Sequence, residues 1–203
     1  MLKNILFKVY IPLTLISCSN KQINLPFIGK HDVSNSDTIY HTIPNFNLIN
    51  QDNKVITQDN LNNKIYVAGF FFTSCPGTCP IIIKQLIRLQ EMTQNNDDFE
   101  IVTYSVDTKR DNPKRLRRYI KKFDIDLHNW TFLTDSNDKA IYKLGMEGYY
   151  LSMGRDDSSP GGFLHSSKLV LVDKNKNIRG LYDGTKANEV NSLYKDIQIL
   201  SSL

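Results

Sequence analysis

The chain has 203 residues, 40% of them hydrophobic, enough for one compact domain with extensions at its ends and too few for a second full domain. Its 25 basic and 21 acidic residues leave a formal charge of +4, and Lys3 and Lys8, near the start, account for two of those charges. A balance so close to neutral gives no ground for a nucleic-acid partner.

The first segment reads as an export leader. A basic start from Met1 to Lys8 precedes an apolar stretch from Val9 to Ile16, interrupted by Pro12, that is too short for the ~20-residue helix a bilayer needs. Leu15-Ile16-Ser17-Cys18 matches the lipobox of bacterial lipoproteins. That match implies removal of residues 1–17, a diacylglycerol on the Cys18 thiol, and attachment to a membrane through acyl chains rather than a helix. The expected location is the cell envelope, as a membrane-anchored lipoprotein facing the periplasm or exterior. Residues 18–40 are polar and without periodicity, apart from Leu25-Pro26-Phe27-Ile28, and read as a flexible stalk. Residues 41–203 are expected to form the folded domain.

Within that domain short apolar runs alternate with polar turns. Phe46–Ile49 and Val55–Thr57 flank a turn and predict a hairpin. Lys64–Phe72 is nearly all β-branched and aromatic, the pattern of a central strand covered on both faces. Ile82, Leu86 and Leu89 then repeat at spacings of three and four, predicting a helix from Pro80 to about Gln94, with proline suited to its first turn. Strands follow at Ile101–Val106 and Trp130–Leu133, separated by a helix from Pro113 to Phe123 and followed by a short one from Asn137 to Leu144. Lys168–Val172 and Ile178–Tyr182 flank the polar turn 173–177 as an antiparallel hairpin, and a last helix runs from Ala187 to Leu200. Strands alternating with helices, closed by a hairpin and a helix, describe an α/β, thioredoxin-like fold with a mixed central β-sheet flanked by helices.

Cys75 and Cys79 stand where the central strand hands over to its helix, in Thr73-Ser74-Cys75-Pro76-Gly77-Thr78-Cys79-Pro80. Open α/β sheets gather ligands at the carboxyl ends of their strands, so the placement suits a site. An exported pair of thiols must be a disulfide, a redox couple or a protected metal site. On a regular helix, residues four apart have Cβ atoms ~5–6 Å apart, whereas a disulfide needs ~3.5–4.5 Å. Pro76 and Gly77 can supply the bend a Cys75–Cys79 disulfide would require, so oxidation stays open. Thiolates bound to one metal at ~2.3 Å sit about 4 Å apart with less strain, and the geometry tilts toward metal. A helix start favours thiolate in either case. Soft thiolates select Cu(I) or Zn, and two of them want a third ligand. His31 and His41 lie in or beside the stalk and His128 before a strand, where it reads as structural or surface. His165 enters the Lys168–Val172 strand after a Gly-Pro-rich loop, beside the cysteines in a thioredoxin-like topology. It is the candidate third ligand, its alternative being a surface loop residue. Met153 offers a thioether in the same loop, and the basic face of residues 109–122 offers an acidic surface or an anionic lipid a partner, although an ordinary solvated face has the same pattern.

These residues resemble the Sco (SenC) family of exported, membrane-anchored copper proteins. The resemblance rests on Phe71-Phe72-Thr73-Ser74-Cys75-Pro76-Gly77-Thr78-Cys79-Pro80, on Tyr104-Ser105-Val106-Asp107 followed by Arg110-Asp111-Asn112-Pro113, and on His165-Ser166 before the strand ending at Asp173. It covers roughly residues 40–200 and implies that Cys75, Cys79 and His165 bind one copper ion. The implied role is a copper chaperone that delivers the ion to the binuclear copper centre of cytochrome c oxidase, with the copper-bearing oxidase subunit or other copper proteins as partners. Asp107 matches a family position near the site, where it would either orient a ligand or fix the loop. The lipobox departs from the transmembrane helix of many members. The principal rival is a thiol-disulfide oxidoreductase, in which Cys75 and Cys79 would be catalytic and keep other proteins' copper-ligand cysteines reduced; a peroxidase fits the paired, proline-flanked thiols less well. If copper binds only the reduced pair, a thousandfold excess over its dissociation constant stabilises the dithiol by ~4 kcal/mol, equivalent to ~90 mV in a two-electron couple.

Overall fold

Residues 24–34 and 37–203 are described by the structure, a computed structural model. The expected leader and Cys18 lie outside the described residues. A small hairpin of β1 (His31–Ser34) and β2 (Asp37–Tyr40) precedes the main sheet. β3 (Asn47–Asn50) and β4 (Val55–Thr57) realise the first expected hairpin. Then come β5 (Ile65–Phe71), α1 (Cys79–Met92), β6 (Phe99–Ser105), α2 (Pro113–Phe123), β7 (Trp130–Thr134) and α3 (Asp138–Lys143). A π-helical turn, Leu144–Gly148, extends α3. β8 (Met153–Arg155) and β9 (Phe163–His165) form a short ribbon that periodicity did not reveal, because three-residue strands carry too little pattern. β10 (Lys168–Val172), β11 (Ile178–Asp183) and α4 (Ala187–Ser201) close the domain.

The sheet is mixed, with seven strands in the order β11-β10-β5-β6-β7-β3-β4. β5, β6 and β7 run parallel, joined by α1 and α2, while β3, β4, β10 and β11 pair antiparallel. All seven side chains of β5 are buried, as its unbroken apolar sequence requires of a strand covered on both sides. Alternation along β5 separates two cores. Gly69 and Phe71 face Leu86 of α1 and Tyr119 of α2, whereas Tyr66 and Phe70 face Tyr149 and the π-helical turn. Each fully buried large apolar side chain contributes roughly 1.5–3 kcal/mol. The layers are therefore helix, sheet and helix, with the cysteines at the carboxyl end of an interior strand.

The inner end of the expected stalk needs correction. Leu25 is buried, the Ile28 amide donates to the Ile178 carbonyl at 2.9 Å, and the Phe27 ring stacks on Tyr40. The apolar patch from Leu25 to Ile28 thus covers β11, which would otherwise expose an unpaired edge. Arg179 fixes it there. Its guanidinium donates to the Pro26 and Leu25 carbonyls and to Asn24, lies 4.1 Å over the Phe27 ring, and pairs with buried Asp173 at 2.8 Å. Arg179→Ala should destabilise the domain by about 3–5 kcal/mol in urea unfolding, since it leaves the Asp173 carboxylate buried without its cation. A loss below about 1 kcal/mol would show that this pair does not anchor the segment.

Candidate metal centre

From the end of β5 the chain passes through Phe72, Thr73 and Ser74 before reaching Cys75. Asp111, wholly buried, holds this exit. It accepts from the Thr73 amide at 2.8 Å, from the Thr73 hydroxyl at 2.5 Å and from the Ser105 hydroxyl at 2.7 Å, and Arg115 pairs with it at 3.4 Å. Arg115 also donates to the Thr73 hydroxyl at 2.7 Å. A carboxylate with this many charge-assisted bonds fixes the loop relative to β6 and α2.

Cys75 lies in the turn and Cys79 is the first residue of α1, so the two do not occupy one regular helical turn. Both are free thiols. β10 runs antiparallel beside β5, and so the start of β10 and the segment leading into it lie at the end of β5 that carries the cysteines. That topology brings His165 back across 90 residues of sequence. Its Nε2 is 3.8 Å from the Cys75 sulfur and 3.5 Å from the Cys79 sulfur, and all three ligand atoms lie within 4.8 Å of one another. Donors bound to one ion at ~2.0–2.3 Å can be at most ~4.6 Å apart, so both sulfur–nitrogen distances fit a shared ion. The Ser166 carbonyl lies 3.4 Å from His165 Nδ1 and can only accept. A proton on Nδ1 satisfies it and leaves the Nε2 lone pair facing the sulfurs, the tautomer that ligation requires.

Aromatic packing sets the ring. Phe72 meets the imidazole edge-on at 5.4 Å between centroids, and Phe163 packs against Phe72 at 5.0 Å. The Arg110 and Arg155 guanidiniums lie over the Phe163 ring at 5.9 and 5.2 Å. Gly161 adopts φ +79° where a side-chain carbon would strike the Phe72 ring at 2.7 Å, so glycine alone lets the loop close over the site.

The two thiols differ electrostatically. The neighbouring Cys79 thiol, with the backbone N–H groups of Cys79 and Gly77, lowers the Cys75 pKa to about 4 against the opposing effect of burial. Donation to Cys75 and burial push the Cys79 thiol up. The pair is therefore poised as one thiolate sharing one proton, a soft anionic ligand set with an imidazole nitrogen beside it.

A family model described as SCO1/SenC matches residues 35–200. The chain belongs to the SCO1/SenC family. Among solved structures it is similar to a SCO1/SenC family lipoprotein from Bacillus anthracis, with 28% identity and a TM-score of 0.74 over 79% of this chain and 95% of that one. It is also similar to BsSco, described as a member of the Sco family of cytochrome c oxidase assembly proteins with a disulfide switch, at 24% identity and a TM-score of 0.72 over 80% and 95% of the two chains. Arabidopsis thaliana ScoI, solved with copper bound, matches at 24% identity and a TM-score of 0.64 over 76% and 97%.

Other candidates in this SCO1/SenC chain lie elsewhere. Asp107 is buried and pairs with Arg110, and its carbonyl accepts from the Arg110 and Asp111 amides, so it fixes the loop and makes no hydrogen bond to a sulfur or to the imidazole. Met153 pairs across the ribbon with His165, but its thioether packs on Gly145 in the core. His41 bonds the Gly148 carbonyl, His128 pairs with exposed Asp126, and His31 is exposed near Tyr40. Asp111 was visible only as part of a motif, since nothing in its spacing reveals its bonds to Thr73.

In the reduced protein the rate of iodoacetamide alkylation at Cys75 should be nearly flat from pH 5.5 to 8. A thiolate with a pKa of about 4 is already formed throughout that range, above its pKa. A rate climbing about tenfold per pH unit, as for an ordinary thiol of pKa ~8.5, would contradict the asymmetry.

Proposed function

We propose that this chain is an exported copper chaperone that holds one copper ion on Cys75, Cys79 and His165 and passes it to the binuclear copper centre of cytochrome c oxidase. The observation that carries the reading is the convergence of two sulfurs and one imidazole nitrogen within 4.8 Å. Thiolates and imidazole together suit Cu(I), and three protein donors leave a position open for a recipient's ligand. Copper bound in the Arabidopsis relative and the oxidase-assembly description of BsSco support the same reading. A lipid on Cys18 would keep the domain in the cell envelope at a membrane surface, where an oxidase subunit is embedded; among the described residues no helix is long and apolar enough to cross a membrane.

The burial of the three donors orders the transfer. Cys79 is wholly buried, Cys75 is 9% exposed and His165 is half-buried, so an incoming ligand approaches from the imidazole side and Cys79 lets go last. Oxidation of the pair to a disulfide takes two electrons and the one proton the pair holds to an external oxidant and removes both sulfur ligands, so reduction must precede loading. The thiol-disulfide oxidoreductase reading uses the same sulfurs, and the low Cys75 pKa favours it as a second activity.

His165→Ala separates the two. Competition with a Cu(I) chelator should show an affinity loss exceeding the ~10- to 100-fold typical of removing an outer-shell partner, and metal analysis after mixing with the apo copper domain of the oxidase should show transfer abolished. Unchanged copper affinity together with undiminished disulfide turnover would leave the oxidoreductase as the function.

A further inference from the structure

α2 carries six cations, Lys114, Arg115, Arg117, Arg118, Lys121 and Lys122, and no acid. Arg115 pairs with Asp111 and Arg117 with Asp52; among the described residues the other four have no carboxylate partner. Three of the six occupy one stripe. Arg115, Arg118 and Lys122 stand at helical steps of three and four, and with Thr73 and Tyr119 they line a cleft of about 290 Å³. This is not the evenly solvated face that the helix pattern alone suggests, because the stripe borders a concavity.

Two further observations tie the cleft to the metal centre. Thr73 lies two residues before Cys75 and is gripped by Asp111 and Arg115, so the cleft opens beside the sulfur-bearing turn. Tyr119 is 7% exposed, and its buried hydroxyl has no hydrogen-bond partner among the described residues. Its ring packs at 5.5 Å against Phe71, the last residue of β5, from which the chain runs into the cysteine-bearing turn. A donor left unpaired beneath a row of cations is an arrangement that an oxygen anion completes.

We propose that this cleft is a carboxylate subsite that seats an acidic segment of the protein receiving copper from Cys75, Cys79 and His165. The proposal rests on the chaperone reading above and adds to it the surface by which the recipient is oriented. Guanidinium and ammonium groups flanking a hydroxyl favour carboxylates, and a segment seated there lies alongside the turn that carries Cys75. Docking of this kind raises the encounter rate and fixes register more than it adds affinity, and it weakens with salt.

A fluorescein-labelled hexaglutamate peptide, titrated into the reduced full chain at low ionic strength and followed by anisotropy, tests it. Arg118 and Lys122 are both exposed, so R118A/K122A should fold normally while weakening the peptide about tenfold or more. K114A/K121A removes the same charge from the same helix outside the cleft and should weaken it less than about twofold. Amide shifts on peptide addition should centre on Thr73, Arg115, Arg118, Tyr119 and Lys122. Equal losses in the two double variants, or shifts spread over the whole basic surface, would overturn the subsite. Inorganic phosphate displacing the peptide at equal concentration would overturn docking in favour of a free-anion site. Copper stoichiometry measured on the same samples keeps the readings apart. R118A/K122A should load copper like the parent chain. A parent chain that takes no copper would sink the chaperone reading, with the peptide data still deciding the cleft.

Discussion

The register between β5 and β10 is the constraint on which the site depends. Ala68 stands opposite Val170, and Val67 opposite Leu171, and this antiparallel match returns the segment before β10 to the carboxyl end of β5. A slip of one residue would turn every β10 side chain to the other face and take Leu169 out of the space that Gly69 leaves for it. The apolar core thus fixes a distance in the metal centre. Two sulfurs and a nitrogen meet because this register sets the end of β5 beside the start of β10.

Around that frame, polar groups hold what the strands alone cannot. Asp111 locks the exit of β5 to β6 and α2 through Thr73 and Ser105, and the Phe72–Phe163 contact presses the imidazole toward the sulfurs. Arg179 plays a comparable part on the far edge, where it closes β11 beneath the segment from Asn24. Each is a buried or half-buried ion with its bonds filled, so each specifies one arrangement of loop against sheet. The cationic stripe of α2 shares Arg115 with the Asp111 lock, and the cleft is thereby rigidly placed with respect to the donors.

Long periodic elements were legible in the sequence because burial imposes a pattern on them. Pro113–Phe123 and Lys168–Val172 agree with α2 and β10 to the residue, since proline, apolar spacing and flanking turns mark their ends. Cys75, Cys79 and His165 were legible as a set because sulfur and imidazole are scarce in this chain and sit at element boundaries. What escaped was tertiary. Asp111 looks like any loop aspartate until Thr73 is placed against it, and the packing of Leu25–Ile28 on β11 is invisible because mostly polar residues on both sides hide a short apolar patch. Asp107, singled out by its motif, pairs with Arg110 and bonds none of the three donors. Met153 looked available as a thioether and is instead core packing, a difference set by Gly145, which leaves room for it.

The chemistry turns on whether one copper ion takes all three donors at once, and X-ray absorption at the copper edge of the reduced, copper-loaded chain tests that most directly. Two sulfurs and one imidazole nitrogen around the ion are expected, with the nitrogen gone in His165→Ala and the sulfurs retained. A shell without nitrogen in the parent chain, or one identical in the two proteins, would contradict a centre built on His165.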